Sequence, residues 1–316
     1  MGDAAAQFSN RARAELSRVI VGQEDVIRQV LAVLLSGGHA LLEGVPGIAK
    51  TLAVKALAHI CRLDFQRVQC TPDLMPADIL GVNVYSTATG TFTFRRGPVF
   101  TDLLLVDEVN RMPPRTQAAL LECMEERQVT LDGTRYPLSG FFTVYATQNP
   151  VEFEGTYPLP EAQLDRFLLK IRLGYPETDH EIEILNRYQN GFDPRDLSRL
   201  GLESIASDLL AAARREVSAV TVEPTLFTYI SLIVRRTRDW PALTLGGSPR
   251  ATVSLMQTAK AIAALDGRDY VVPDDVKQAA PAVLRHRLLV KPEADLEGIT
   301  PDRVVAEVLA GVEVPK

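Results

Sequence analysis

Short apolar runs alternate with helix-like segments through the first half of the chain. Two segments have helical spacing, residues 16–35 and residues 51–61. The β-rich apolar runs lie at residues 39–42, 65–70, 103–106, 141–147 and 167–171. Because these runs are apolar on both faces and alternate with helices, they predict an α/β fold in which helices cover both sides of a parallel sheet.

Two further segments interrupt this alternation and are typical of β-hairpins. The first lies near residues 81–100 and turns at Gly90, and the second lies near residues 127–138 and turns at Asp132-Gly133. We therefore expect two hairpin inserts that project from the α/β core.

The second half of the chain has a different pattern. The β-rich runs stop after Pro176, and the remainder is helical. Residues 300–302, Thr-Pro-Asp, supply a cap, a proline for the first turn and a favourable negative charge, and residues 273–275 resemble them. We expect an α/β core over residues 1–176, followed by an all-helical lid over residues 177–316.

Composition narrows the class of protein. The chain has 316 residues, of which 46% are hydrophobic and 23% charged, as in ordinary globular proteins. It opens without the apolar core of a secretory signal, and no apolar run approaches the roughly 18 residues of a membrane span, so we expect a cytoplasmic protein. The net charge of −6 weighs against a large non-specific nucleic-acid surface. The cysteines and histidines are scattered without metal-ligand spacing, and we expect ordinary buried thiols and imidazoles.

The stretch EGVPGIAKT, residues 43–51, has the form of a phosphate-binding loop. Two glycines would give the flexible turn, Lys50 the cation for the terminal phosphates and Thr51 a hydroxyl for magnesium. Ala49 occupies the place of the second glycine of the usual pattern. We expect the helix to have begun at Ala49, because helical backbone angles tolerate a methyl group. The alternative is a glycine-rich turn between a strand and a helix, without a ligand.

Two acidic residues follow the buried run LLLV, at the edge of the sheet where ligands bind in open parallel folds. Asp107 would hold magnesium, through water. Glu108 would orient and deprotonate the attacking water, since phosphoryl transfer depends mostly on positioning and electrostatics. The alternative is a core strand that enters solvent through two acids.

Three more polar residues are candidates for the same chemistry. Asn149 ends a third strand, where its amide would donate to the γ-phosphate or hold the water; an Asn-Pro turn is the alternative. Arg166 precedes a strand, and a surface ion pair with Asp165 is the alternative there. Arg250 follows a helix cap at Ser248, and a cation in the first turn opposes the helix dipole. A nucleotide anion therefore explains Arg250 better than helix stability does.

Together these stretches resemble a MoxR-type ATPase of the AAA+ superfamily. The resemblance runs from about Val21 to the C-terminus, and its stretches are EGVPGIAKT, TPDLMPADILG, FRRGPVFTDLLLVDEVNRMPPRTQAALLECMEERQVTLDG, ATQNPVEFEGTYPLPEAQLDRFLLK, SPRA and VLRHRLL. An alanine before the loop lysine is usual in that family, so Ala49 marks the family and not a decayed site. The implied fold is an AAA+ P-loop core followed by a helical lid.

The resemblance implies a role for each position. ATP would bind to the adenine segment and the Walker A loop: Val21, Gly22, Gln23, Gly44, Val45, Pro46, Gly47, Ile48, Ala49, Lys50, Thr51 and Leu52. Mg²⁺ would bind between Thr51 and Asp107. The catalytic positions would be the Walker B glutamate, sensor one, the arginine finger and sensor two: Glu108, Asn149, Arg166 and Arg250. Arg111 and Arg115 lie near enough in sequence to compete with Arg166 for the finger.

The implied function is that of a magnesium-dependent ATPase that forms a ring, a hexamer, and remodels or matures a protein partner. That partner would carry a von Willebrand factor A domain or be a metalloenzyme awaiting its cofactor, and the two hairpins would project toward the pore or face of the ring. Two alternatives remain open: a motor acting on nucleic acid or in magnesium chelation, and a slow nucleotide-controlled scaffold. The acidic net charge weighs against nucleic acid. Glu108 weighs against the scaffold, because a dead switch could dispense with that carboxylate.

Overall fold

A five-stranded parallel sheet forms the centre of the computed structural model, which describes residues 3–88, 90–150 and 155–315. Its strands are β1 (Ala40–Glu43), β2 (Phe65–Gln69), β5 (Leu103–Asp107), β8 (Thr143–Gln148) and β9 (Leu169–Arg172). They lie in the order β2-β5-β8-β1-β9, and every neighbouring pair is parallel. The five predicted strands are confirmed, since no end differs by more than two residues.

The helices of the first half are α1 (Ala4–Ser17), α2 (Glu24–Ser36), α3 (Lys50–Cys61), α4 (Pro76–Leu80), α5 (Pro114–Glu126) and α6 (Glu161–Leu164). The prediction of one helical segment over residues 16–35 is wrong, because the chain leaves the helix between α1 and α2. Gly22 has a φ of 66° there, and a Cβ atom at this position would lie 2.3 Å from Nδ1 of His180. Close packing against that ring requires the glycine, which ends any continuous helix.

Both hairpins are confirmed. The first consists of β3 (Gly81–Ser86) and β4 (Thr91–Arg96), and the second of β6 (Gln128–Leu131) and β7 (Thr134–Pro137). Asn83 donates a 2.6 Å hydrogen bond to Asp132, and the rings of Phe94 and Tyr136 stack with centroids 4.3 Å apart. The two inserts therefore pack as one unit.

The second half contains α7 (Thr178–Gln189), α8 (Ser207–Ala219), α9 (Pro224–Arg238), α10 (Pro249–Leu265), α11 (Pro273–Leu284), α12 (Pro292–Leu296) and α13 (Pro301–Gly311). The predicted cap at Thr300 is present, since its hydroxyl accepts from Arg303 N at 3.2 Å. The expectation of a wholly helical second half is wrong in one detail. Two short strands, β10 (Leu243–Leu245) and β11 (Leu289–Val290), pair antiparallel and are too short to show a period in the sequence.

Two apolar clusters cover the two sides of the sheet. Leu103, Leu105 and Tyr145 belong to a cluster that continues into α1, α2, α3 and the C-terminal helices. Leu104 and Val106 point the other way, into a cluster with α5 and the second hairpin. Burial on both sides explains why the central strand β5 is apolar up to Asp107, whereas the edge strand β2 is partly exposed and carries Arg67 and Gln69. Among the described residues, no helix combines the length and apolar character that crossing a bilayer requires.

Candidate active site

The phosphate-loop candidate connects β1 to α3, so it lies at a helix N-terminus. Gly44 has no room for a side chain, because a Cβ atom would lie 2.2 Å from Ile48 Cδ1 and 2.9 Å from the Leu173 carbonyl oxygen. Gly47 has a φ of 85°, which glycine adopts at no steric cost. Steric fit and backbone conformation thus require two of the loop's residues to be glycine.

Ala49 has a conformation that the sequence analysis did not expect. It is the N-cap residue of α3, with φ 66° and ψ 19°. The expectation that it already has helical angles is therefore wrong: the chain turns from the loop into the helix through one left-handed residue. Such angles cost an L-residue with a side chain about 1–2 kcal/mol. A methyl group fits at Ala49, but in a strained backbone.

Lys50 is the first residue of α3, and its ammonium group lies inside the loop. It donates to the carbonyl oxygen of Gly44 and, at 3.3 Å, to that of Val45. A point cation and the first N–H groups of a helix are thus close together. That combination binds phosphate groups.

Asp107, at the end of β5, is the centre of the next group of contacts. Its side chain is buried, and its two oxygens lie 3.4 and 3.3 Å from the hydroxyl of Thr51. Thr147 of β8 donates to it at 3.0 Å, and Arg67 of β2 donates at 2.6 Å. The hydroxyl and carboxylate oxygens that converge here are ligands of the type Mg²⁺ takes in proteins, so the predicted pair fits that ion.

Glu108 follows in a left-handed conformation, with a φ of 59°. Its N–H donates to the Thr147 hydroxyl at 2.9 Å, which fixes the backbone beside Asp107. Its carboxylate accepts from Gln69 at 3.0 Å and pairs with Arg111 at 3.1 Å. Such a left-handed conformation is strained for a residue with a side chain, and it persists here because the contacts on either side of Glu108 hold it.

Asn149 is buried and comes directly after β8, the strand between β5 and β1. The carboxyl ends of all three strands meet at one edge of the sheet. The structure therefore brings Asn149 to the same edge as the loop and the two acids, as the sequence analysis expected.

A cavity of about 130 Å³ lies beside the loop. Gln23 lines it together with Val21, and the Oε1 atom of Gln23 is buried without a hydrogen-bond partner in the described part of the chain. The rest of its lining joins the loop to α7: Val19, Ile20, Gly47, Ile48, Ala49, Leu52, Pro176, Ile184, Arg187, Tyr188 and Phe192. The structure therefore places the predicted adenine segment next to the loop. Residues of α7 also line this cavity, and no pattern in the sequence indicated them.

The two predicted arginines meet at a different place. Arg166 Nε lies 3.1 Å from one carboxylate oxygen of Glu125, and Arg250 donates to the other oxygen. A second cavity opens beside them, lined by residues of α5, the segment before β9 and α10. The described residues of the phosphate loop contribute nothing to that lining. The predicted cap of α10 is present, because Ser248 accepts from Ala251 N.

A buried ion pair lies next to Arg166, Arg250 and Glu125, which form a second group of contacts. Arg287, whose side chain is 2% exposed, lies 2.6 Å from Asp165. Burial lowers the pKa of Arg287, and the Asp165 carboxylate opposes that shift. Four residues of these two groups have no pattern in the sequence, because their contacts depend on which elements pack together: Arg67, Gln69, Glu125 and Arg287. Thr147 had a signal, since it lies on β8 two residues before Asn149.

Comparison with known proteins agrees with this geometry. Residues 39–169 match the ATPase family associated with various cellular activities, and residues 235–308 match the AAA lid domain. The chain is 46% identical to the uncharacterized protein YeaC of Bacillus subtilis, over 96% of this chain and 94% of that one. It is 43% identical to chaperone MoxR1 of Mycobacterium tuberculosis, over 97% and 82%. A crystal structure of a candidate ATPase from Cytophaga hutchinsonii superposes with a TM-score of 0.88 at 42% identity, covering 99% of this chain and 97% of that one.

Proposed function

The chain belongs to the MoxR family of AAA+ ATPases and hydrolyses ATP, and from this premise we propose that it is a magnesium-dependent ring ATPase that remodels a protein partner. The observation that carries the proposal is the contact between the Thr51 hydroxyl and both oxygens of Asp107, at 3.4 and 3.3 Å. It joins the phosphate loop to the acidic end of β5, as ATP hydrolysis requires.

Each residue at this edge has one task in the proposal. Lys50 and the first N–H groups of α3 bind the phosphates. Thr51 and Asp107 hold Mg²⁺, which neutralises charge on the phosphate oxygens when bound. Glu108 accepts the proton of the attacking water, and Asn149 holds that water or the γ-phosphate. Gln23 and the cavity beside it hold the adenine ring of ATP.

The two arginines act on the nucleotide of a neighbouring chain. Arg166 and Arg250 share one carboxylate beside a cavity to which the described loop residues contribute nothing, which supports action in trans for both. Arg111 is the weaker candidate for the finger, because it pairs with Glu108 of its own chain. Arg115 lies exposed in the first turn of α5 and remains an alternative. A finger in trans requires a ring, for which we propose a hexamer.

The hairpin unit supports a protein partner over nucleic acid. The rings of Tyr85 and Phe92 pack 5.2 Å apart near its tip, and they are 53% and 71% exposed. Exposed apolar groups that lie together mark interaction sites more often than isolated ones do. Since one relative is named a chaperone, we propose a protein client, either a von Willebrand factor A domain protein or a metalloenzyme. Motor action on nucleic acid and a role in magnesium chelation are the alternatives.

The test uses Glu108→Gln, which keeps the shape of the side chain but cannot accept the proton. We expect it to bind ATP like the parent and to hydrolyse it about a hundredfold more slowly or worse, as the loss of a general base predicts. Glu122→Gln, an exposed change on α5, is the matched control and should hydrolyse ATP normally. Near-normal turnover in Glu108→Gln would place the base elsewhere.

The same variant tests the partner. Held in its ATP state, Glu108→Gln should retain a bound protein during affinity capture from a lysate, whereas Lys50→Ala should not. Recovery of nucleic acid alone would contradict a protein client.

A further inference from the structure

The carboxylate of Asp165 connects the two arginines of the second group. One oxygen accepts from the Ser248 hydroxyl at 2.9 Å, and the other accepts from Arg287 Nε at 2.6 Å. Arg166 is the next residue after Asp165, and Arg250 lies two residues after Ser248. The residue before Arg166 is thus hydrogen-bonded to the N-cap residue of the helix that carries Arg250.

The Arg287 guanidinium fixes that carboxylate in place. Besides Asp165 Oδ1, it donates to the carbonyl oxygens of Asp165, Phe167 and Leu168 at 3.2, 2.7 and 3.2 Å. It also donates to the Ser254 hydroxyl of α10 at 3.2 Å. A buried guanidinium is tolerated only where its N–H groups find acceptors, and here all three nitrogens do. Residues 165–168 and α10 are therefore held together through one side chain.

We propose that Arg287, acting through Asp165, is the positioning residue that sets Arg166 and Arg250 side by side for one shared anion. Glu125 shows that the two side chains can converge on a single anionic group, since each contacts one of its oxygens. A terminal phosphate presented by a neighbouring chain would take the place of that carboxylate. This inference rests on the proposed function, because the placement of the arginines affects turnover only if they act on nucleotide.

The chain offers a matched pair of arginines for the test. Arg285, two residues earlier, connects the end of α11 to β9 through the Lys170 carbonyl at 3.2 Å and to α13 through Asp302 at 2.9 Å. It has no described contact with Asp165. Lysine at either position keeps the charge but cannot bond so many acceptors in one plane. Only the change at Arg287 should loosen the segment that carries Arg166.

The first measurement compares Arg287→Lys with Arg285→Lys in the full chain, at concentrations where the parent is assembled. We expect Arg287→Lys to lose about a hundredfold in kcat, with KM and the Kd for ATP unchanged, since misplacing a catalytic group by about 1 Å has such an effect. Arg285→Lys should keep the parent kcat. A kcat in Arg287→Lys equal to that of Arg285→Lys would overturn the proposal.

Mixing two inactive variants shows whether the phosphate loop or the arginines of a variant are damaged. Lys50→Ala has an impaired loop but intact arginines, so it should restore turnover to Arg287→Lys, as it should to Arg166→Ala. No rescue of Arg287→Lys, when Arg166→Ala is rescued, would mean damage to its own loop and would overturn the proposal. No rescue of Arg166→Ala would refute action in trans instead. Arg287 would then be judged by the comparison with Arg285→Lys alone, and equal kcat values in those two variants would overturn the inference.

A milder pair covers the case in which Arg287→Lys does not fold. Ser248→Ala removes one hydrogen bond to Asp165 together with a helix cap, and Thr300→Ala removes a comparable cap from α13. We expect kcat to fall in Ser248→Ala only. Equal kcat values in these two variants would overturn the proposal.

Discussion

The residue with the clearest local strain is Ala49. Its φ of 66° costs about 1–2 kcal/mol for a residue with a side chain. Glycine would remove this cost, although it adds about 0.5–1 kcal/mol of conformational entropy to the unfolded chain. We therefore expect Ala49→Gly to raise the free energy of unfolding by up to about 1 kcal/mol and to leave ATP binding intact. Urea unfolding without nucleotide measures the change.

Ala53→Gly provides the control for this prediction. Ala53 lies in the same helix, α3, and glycine in a helix interior lowers the free energy of unfolding by about 1 kcal/mol. Both substitutions remove one methyl group, but of the two residues only Ala49 has the left-handed backbone that glycine relieves. Destabilisation in both variants would contradict a left-handed Ala49.

Single residues show what the sequence could and could not reveal about the site. Lys50, Thr51 and Asp107 could be predicted because the loop and the acidic strand end have local patterns. Glu125 could not, because its contacts with Arg166 and Arg250 join α5 to the turn before β9 and to α10, which are far apart in the chain. The roles of these residues in catalysis remain predictions.

At the scale of elements, Arg250 at the start of α10 should matter little for stability. Its pair with Glu125 is formed between side chains 45% and 37% exposed, and such pairs contribute about 0–1 kcal/mol. Arg250→Ala should therefore change the free energy of unfolding by less than about 1 kcal/mol while lowering ATP turnover. Thermal unfolding and an ATPase assay of the same sample check both parts.

Arg268 supplies the contrast. It pairs with Asp275, whose side chain is 4% exposed and also accepts from Val272 N at the start of α11. Arg268→Ala leaves that carboxylate without its partner and should destabilise the protein by about 3 kcal/mol. A comparable loss in Arg250→Ala would make Arg250 a structural residue.

His39 joins three elements and gives the fold a pH dependence. Immediately before β1, it accepts from Val144 N of β8 at 2.9 Å, and its other nitrogen contacts the Met124 carbonyl of α5 at 3.1 Å. Burial lowers the pKa of His39 to about 3. The unfolded chain therefore binds a proton below about pH 6.5 that the folded chain does not. Stability is full above that pH and falls by about 1.4 kcal/mol per unit below it.

His39→Gln tests this dependence, because glutamine keeps a donor and an acceptor but does not titrate. Between pH 5 and 6.5, we expect the slope of the free energy of unfolding against pH to be smaller in the variant. The difference should approach about 1.4 kcal/mol per pH unit, the contribution of one proton. His286 keeps part of the dependence in the variant, since burial lowers its pKa as well. Identical slopes for parent and variant would mean that His39 titrates normally in the fold.

The elements themselves were largely predictable. The central strands β1, β5 and β8 could be found because strands buried on both sides are mostly apolar runs. The break between α1 and α2 could not, because Gly22 is required by a contact with His180, more than a hundred residues away in the chain. The pairing of β10 with β11 was missed for a related reason, since it joins residues that follow α9 to residues that follow α11.

At the scale of the whole molecule, the proposed catalytic groups fall into two sets. One set lies at the carboxyl edge of the sheet, with Lys50, Thr51 and Asp107. The other surrounds Glu125, with Arg166 and Arg250, beside a cavity that the described loop residues do not line. If both sets act on one nucleotide, each active site is formed by two chains. Activity must then depend on assembly.

The last prediction follows from that dependence. An arginine finger supplied in trans accelerates hydrolysis about a thousandfold or more, so a lone chain should be nearly inactive. Specific activity per chain should rise with protein concentration, in parallel with the fraction of assembled rings measured by mass photometry. Arg166→Ala should assemble and bind ATP like the parent, yet its specific activity should stay low and flat across the same range. If the parent instead keeps full specific activity down to concentrations at which only monomers are present, each chain carries a complete site and the ring mechanism is wrong.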